Sequence, residues 1–203
     1  MAGSAQSDAT DEALMHRFQQ SDPDAFAPLM RRHLGGVHHF VVRYVAPGAG
    51  AEDLTQEIFL RVVEQAAEFK HEARFSTWLY AIARNLCIDT LRKQAHRRHA
   101  SLDEPSADGG SLGERVGDEH PRSGGERVAQ GRQVAARIDE ALVRLPEEQR
   151  EVFLLREIAS LPFHEIAAIT GAPENTVKSR MRYALERLQE ALRDLEEVAR
   201  ALR

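Results

Sequence analysis

Residues 145–192 read LPEEQREVFLLREIASLPFHEIAAITGAPENTVKSRMRYALERLQEAL. Phe163 to Thr170 forms a short apolar-periodic segment, Gly171-Ala172-Pro173 interrupts it, and a longer segment starts at Glu174. That order predicts two helices crossing steeply, with Gly171 free to take a positive φ and Pro173 near the start of the second helix. Along that helix Val177, Met181, Leu185, Leu188, Leu192 and Leu195 recur at three- and four-residue steps. At about 100° per residue, Val177, Met181, Ala184, Leu185 and Leu188 make one stripe expected to be buried. Asn175, Ser179, Arg182 and Tyr183 then point outward, flanked by Lys178 and Arg180. A helix-turn-helix places such a face in the major groove, where Arg and Lys meet guanine edges or phosphate and Asn and Ser bond bases. A helical hairpin with a solvated basic face is the alternative. Asn175 to Tyr183 contains no acid, whereas Glu186 to Glu197 mixes both signs as a merely solvated face does, which favours DNA.

Working back toward the N-terminus, Ser101 to Gly131 reads SLDEPSADGGSLGERVGDEHPRSGGERVAQG, rich in Gly, Ser, Pro and acids with almost nothing to bury. It is expected to be a flexible linker, averaging roughly 30 Å end to end for about 30 residues. Before it, Asp11 to His99 again has helical periodicity, with breaks expected at Pro47-Gly48-Ala49-Gly50 and around Lys70 to Ala73. The fold class is therefore all-α, two small helical domains on a tether. The boundaries expected are 1–23 for an acidic lead-in, 24–100 for the first domain, 101–133 for the linker, 134–195 for the second domain and 196–203 for a tail.

In the first domain Ala51 opens a helix expected to reach about Ala67, with Leu54, Ile58 and Val62 on the core side. Asp53, Gln56, Glu57 and Glu64 surround Leu60 on the other side, with Arg61 beside it. An apolar spot in a polar rim suits a protein-binding surface, although acids in a first turn also complement the helix dipole. Phe69 to His99 follows, FKHEARFSTWLYAIARNLCIDTLRKQAHRRH. Phe75, Trp78, Leu79, Ile82 and Leu86 are expected to stack on one face, which makes Trp78 a core residue. Between Arg74 and Arg98 six basic residues (Arg74, Arg84, Arg92, Lys93, Arg97, Arg98) meet one acid, Asp89. A polar loop, Lys70 to Arg74, beside a basic helix could trap an unstacked base while cations hold the displaced strand.

These residues carry a resemblance. Leu145 to Leu192 resembles region four of the sigma-seventy family, most closely its extracytoplasmic-function branch, and the resemblance implies that Asn175, Thr176, Lys178, Ser179, Arg180 and Arg182 read the minus-thirty-five promoter element. Response regulators also carry related output domains. AEDLTQEIFLRV is similar to the sigma helix that grips the coiled coil of the polymerase β′ subunit, which implies contacts by Asp53, Gln56 and Glu57 supported by Leu60 and Arg61. The pattern F-x-x-W-L-x-x-I-A-x-N followed by basic residues is like region two of the same family, which melts the minus-ten element. By that resemblance Phe69, Lys70, His71, Glu72 and Arg74 make the base pocket, and Asn85, Arg92 and Lys93 contact the strand. The two likenesses, over roughly residues 24–100 and 138–195, imply an RNA polymerase sigma factor. It would bind core RNA polymerase through the β′ and β subunits, bind promoter DNA, and be held inactive by an anti-sigma protein.

Composition fits and excludes in turn. The net charge of −5 hides the local basic patches, and local density is what a phosphate backbone feels. No apolar run reaches the roughly 20 residues needed to cross a bilayer, and the polar, acidic start MAGSAQSDATDEALMHRF has no signal-peptide pattern, so a cytoplasmic protein is expected. Cys87 alone makes no intrachain disulfide, and its apolar helix favours a structural role. No enzyme, metal or cofactor is expected. His38 and His39 point about 100° apart, His33, His96 and His99 have no cysteine cluster to join, and His164-Glu165 lacks the second histidine of a zinc-protease helix. A repressor using only the C-terminal motif is the remaining rival. It would bind a duplex operator without polymerase.

Overall fold

The computed structural model describes residues 9–45, 50–70, 72–102 and 125–193. Among the described residues there are eight α-helices, two 3-10 turns and no strand. Thr10 caps α1 (Asp11–Gln19), its hydroxyl accepting from the Ala13 amide at 3.2 Å, and Asp11 and Glu12 in the first turn suit the positive end of the helix dipole. A 3-10 turn at Pro23–Ala25 leads into α2 (Phe26–Val45). Gly50, at φ +66, starts α3 (Ala51–Glu64). A second 3-10 turn, Ala66–Glu68, ends that segment where the sequence suggested continuous helix to about Ala67. The longest helix, α4 (Phe75–Leu102), completes the first domain.

The core of this domain is aromatic. Phe40, Tyr44, Phe59, Phe69, Phe75 and Tyr80 are all buried, joined by Leu14, Met15, Ile58, Val62 and Cys87. Phe40 lies 5.3 Å from Tyr44 and 5.4 Å from Tyr80 between ring centroids, within the range of favourable edge and tilted pairs. Gly36 lets α2 and α4 approach closely, since a Cβ there would sit 2.8 Å from the Tyr80 hydroxyl. The buried side of α4 is Phe75, Leu79, Tyr80, Ala83 and Cys87, while Trp78, Ile82 and Leu86 are half-buried beside it. The expected Phe75-Trp78-Leu79-Ile82-Leu86 face is thus rotated. α4 packs on α1, α2 and α3 on one side and on α7 of the second domain on another, so its apolar arc is wider than one stripe.

The second domain contains α5 (Gly125–Val143), α6 (Glu147–Glu157), α7 (Phe163–Thr170) and α8 (Glu174–Ala191). α5 begins at Gly125, so residues 125–133, read from composition as linker, are helical. Helix formation tolerates the glycines at 125 and 131 once the later turns have a partner to pack on. The rest of the expected linker beyond Leu102, residues 103–124, lies outside the described residues. Leu145-Pro146 separates α5 from α6 as expected. Between α6 and α7, Ser160 takes φ 53, and the Arg156 guanidinium stabilises the turn by donating to the Leu161 carbonyl at 2.9 Å while lying 5.0 Å from the Phe163 ring centroid. Gly171 takes φ +69 and donates its amide to the Ala167 carbonyl at 2.9 Å, the left-handed helix end that the sequence called for.

Candidate nucleic-acid interface

The outer side of α3 follows from helical spacing. Asp53, Gln56, Glu57, Leu60 and Arg61 succeed one another at three-, one-, three- and one-residue steps, share a face and are all exposed. Leu54, Ile58 and Val62 are buried beneath, so this face is rigidly backed. Leu60 is 62% exposed and Val63 41%. Arg61 reaches Glu57 at 4.0 Å and Glu64 at 3.6 Å, which leaves Asp53 and Gln56 at the open end. Surface pairs of this kind contribute little to stability and can be exchanged for a partner's charges.

The loop before α4 is held from below. Gln19 donates through Nε2 to the Ala66 carbonyl at 2.8 Å and the Phe69 carbonyl at 3.0 Å, and Glu12 accepts from the Phe75 amide at 3.0 Å. Phe69, expected in the base pocket, is only 3% exposed, with its ring centroid 5.3 Å from that of Trp78 and 5.9 Å from that of Phe75. It is a pillar under the loop and not part of its surface, because a large apolar ring next to two others gains more by leaving water. Lys70, Glu72 and Arg74 are exposed, and the Ala73 amide turns back to the Lys70 carbonyl at 3.1 Å. His71 lies outside the described residues. On α4, Asn85, Arg92 and Lys93 are exposed, with Arg92 3.9 Å from Asp89. The loop and the three α4 residues therefore lie on the surface of one domain, spread along more than four turns of helix.

On α8, Asn175, Lys178, Ser179 and Arg182 are exposed, and Thr176 and Arg180 half-buried. Their order comes from the buried stripe Val177, Met181, Ala184 and Leu188. Leu185, expected in that stripe, is 48% exposed. It lies at the stripe's edge, beyond the line of contact with α6 and α7. Each cation already has an acidic neighbour: Lys178 with Glu174 at 2.7 Å, Arg180 with Glu148 at 3.1 Å and Arg182 with Glu186 at 3.9 Å. The Lys178 hydrogen bond holds the Glu174 carboxyl below its usual range. Arg182 also lies 4.7 Å from the Tyr183 ring centroid, and Ser179 donates to the Asn175 carbonyl at 2.9 Å. A phosphate approaching this face would have to displace these carboxylates, since none of the three cations stands without an acidic neighbour.

Other residues of interest in the sequence have structural partners. His33 lies 2.7 Å from Asp11, His38 lies 3.4 Å from the Thr55 hydroxyl, and no group of three or more His, Cys, Asp or Glu suited to a metal occurs among the described residues. Burial pushes the Cys87 thiol up to about 12. No helix among the described residues is long and apolar enough to cross a membrane.

Sequence reasoning missed a third set of polar residues, which joins the two domains. Glu151 on α6 accepts from the Tyr44 hydroxyl at 3.0 Å and pairs with Arg84. Asp139 pairs with Arg43 at 3.0 Å, and Glu165 accepts from the Thr77 hydroxyl and lies 3.9 Å from Arg74. The available signal was an acid, Glu151, directly before the apolar run Val152 to Leu155.

Comparison with known proteins agrees with this geometry. The family description Sigma-70 region 2 matches residues 29–97, and Sigma-70, region 4 matches residues 135–188. The chain is 35% identical over 191 residues to the ECF RNA polymerase sigma-E factor of Escherichia coli (strain K12), covering 92% of this chain and 96% of that one. It is 33% identical over 187 residues to the RNA polymerase sigma factor CarQ of Myxococcus xanthus, covering 92% of this chain and 100% of that one. Its fold is similar to that of CnrH, solved in complex with the cytosolic domain of CnrY, at a TM-score of 0.66 and 20% identity over 92% of this chain and 99% of that one. Two helical domains of these kinds, in this order, define a transcription initiation factor. The chain belongs to the sigma-70 family of RNA polymerase sigma factors, in its extracytoplasmic-function branch.

Proposed function

We propose that the outer side of α3 is the surface that docks on core RNA polymerase, through Asp53, Gln56, Glu57, Leu60 and Arg61. Promoter DNA is then read at two places. Lys70, His71, Glu72 and Arg74 with Asn85, Arg92 and Lys93 engage the minus-ten element, on a loop that Phe69 supports from inside. Asn175, Thr176, Lys178, Ser179, Arg180 and Arg182 engage the minus-thirty-five element. The functional units are residues 24–100 and 134–195, with α5 extending the second back to Gly125. The factor works in the cytoplasm and carries no catalytic group of its own.

One observation supports the reading above the others. A single chain presents a 62%-exposed leucine ringed by acids in its first domain and an exposed, cation-bearing α8 N-terminus in its second. A free-standing repressor has use for the second surface only. The experiment is a runoff assay with purified core polymerase and a promoter library. Promoter-specific transcripts with core enzyme and this chain alone support the reading, and their absence across the library overturns it.

An anti-sigma partner is part of the same proposal. A similar structure, at 23% identity and a TM-score of 0.64, is described as the sigma factor RpoE in complex with the anti-sigma factor NepR from Bartonella quintana. The exposed apolar residues Leu60, Val63 and Leu185 give such a partner something to cover. Co-purification from cells, followed by loss of transcription on adding the captured protein back, tests it.

A further inference from the structure

The loop between Phe69 and Phe75 is held at both ends by one helix, α1, which precedes the residues matched to region 2. Gln19 Nε2 donates to the Ala66 carbonyl at 2.8 Å and to the Phe69 carbonyl at 3.0 Å, so the two N–H bonds of one amide tie down the backbone just before the loop. Glu12 Oε1 accepts from the Phe75 amide at 3.0 Å, just after it. Phe75 is the first residue of α4, where the leading amides have no partner within the helix, and a carboxylate there also meets the positive end of the helix dipole. Glu12 and Gln19 are seven residues apart, which places them on one side of α1 about two turns, or roughly 10 Å, from each other.

α1 is itself fixed. Leu14 and Met15 are fully buried, and Asp11 holds Arg32 at 2.9 Å and His33 at 2.7 Å on α2. The His33 ring centroid lies 5.2 Å from that of Phe75. Burial of Leu14 and Met15 is enough to attach the helix to the core. The contacts of Glu12 and Gln19 go further, since both end on main-chain groups that bound the loop.

Resting on the reading of this loop as a minus-ten contact, we propose that Glu12 and Gln19 are positioning residues for minus-ten selection. They act through the loop backbone, not on DNA. α1 is a spacer that keeps the two ends of the loop at one separation, so that Lys70, Glu72 and Arg74 meet an unstacked base in a single arrangement. Holding the loop before DNA arrives removes its ordering cost from the binding step. A loop with one arrangement also discriminates between bases better than one that adjusts to each.

The test uses the full chain. Gln19→Glu keeps the size of the side chain and removes the donor, so the Ala66 and Phe69 carbonyls face a carboxylate. Hydrogen exchange at the Ala73 and Phe75 amides, bonded to the Lys70 carbonyl and to Glu12 in the wild type, should quicken at least about fivefold while amides in the middle of α4 keep their rates. In runoff transcription with core polymerase over promoters that differ only in the minus-ten element, preference for the best sequence should fall at least about fivefold. Preference at the minus-thirty-five element and affinity for core polymerase should not change. A merely structural role would lower the output of every promoter by one factor, and that result, or wild-type preference, overturns the proposal. Where Gln19→Glu loses helicity, Glu12 decides instead. Glu12→Ala should show the same loss of preference, and Glu12→Gln, whose carbonyl still accepts from the Phe75 amide, should restore it. Equal preference in the wild type and Glu12→Ala overturns the proposal. Lys70→Ala with Arg74→Ala separates the two levels. If that pair leaves minus-ten preference unchanged, the reading of the loop has failed and the positioning role with it. If the pair loses preference and Gln19→Glu keeps it, the loop reading stands and the positioning role alone has failed.

Discussion

The two domains solve the same problem, presenting polar side chains to DNA from a helical scaffold, with different cores. The first buries six aromatic side chains. The second, among the described residues, buries none and relies on Leu142, Leu145, Val152, Leu154, Leu155, Leu161, Ile166, Val177 and Met181. The difference follows from what each must hold. The first supports an irregular loop and a long helix, and interlocked rings such as Phe69, Phe75 and Trp78 fix an irregular backbone from beneath with few side-chain torsions to order. The second presents regular helix ends, for which a short aliphatic stripe and one left-handed glycine suffice.

The largest effect expected from this contrast is on stability. Phe75→Ala removes a ring that touches Phe69, Trp78 and His33 and should cost about 3–5 kcal/mol, with the loss of structure seen first in the first domain. Chemical denaturation followed by Trp78 fluorescence reports it. A cost under about 1 kcal/mol would break the claim that the rings set the loop. Next in size is charge reversal on the face of α3 proposed to dock on polymerase. Asp53→Lys with Glu57→Lys should weaken association with core polymerase about a hundredfold or more while leaving thermal unfolding nearly unchanged, since both residues are exposed. Undiminished binding by a folded variant would remove the basis for the whole assignment of α3.

The contrast also marks what the sequence could reveal. The α3 faces were legible because Leu54, Ile58 and Val62 on one side and Asp53, Gln56, Glu57 and Leu60 on the other follow a single period around one partner. Gly171 was legible because a left-handed turn between helices favours glycine over other residues. Where a helix has two partners, periodicity blurs. The α4 core side runs through Phe75, Leu79, Ala83 and Cys87 and not through Trp78, Ile82 and Leu86, because α7 covers a second flank. Phe69 was misplaced because a loop-terminal aromatic looks the same in sequence whether it turns in or out. The junction around Glu151 left one local trace, an acid directly before the apolar run Val152 to Leu155, and its partners could not be read because Tyr44 and Arg84 are 107 and 67 residues away.

At α8, proposed to read the minus-thirty-five element, the contrast predicts a smaller effect with a distinctive signature. Arg182→Ala should weaken binding to a minus-thirty-five duplex by about 1–3 kcal/mol if Arg182 reads a base, relaxing sequence preference at one position. If it grips phosphate it should instead lower the salt dependence by about one charge with preference intact. Because Arg182 lies 3.9 Å from Glu186, Glu186→Gln should strengthen binding modestly in either case by removing a competing anion. A weakening on Glu186→Gln would contradict the picture of carboxylate exchanged for phosphate.

The smallest effect is expected at the turn itself. Gly171 is at φ +69 with nothing within 4 Å of where a Cβ would project, so Gly171→Ala meets no steric neighbour and pays only the left-handed backbone strain, about 1–2 kcal/mol. An asparagine, which tolerates that conformation better, should recover about half of the loss. The strain is local to the turn between α7 and α8, so the cost should appear as faster hydrogen exchange at the α8 amides. If Ala and Asn are equally costly, backbone conformation is not what Gly171 provides.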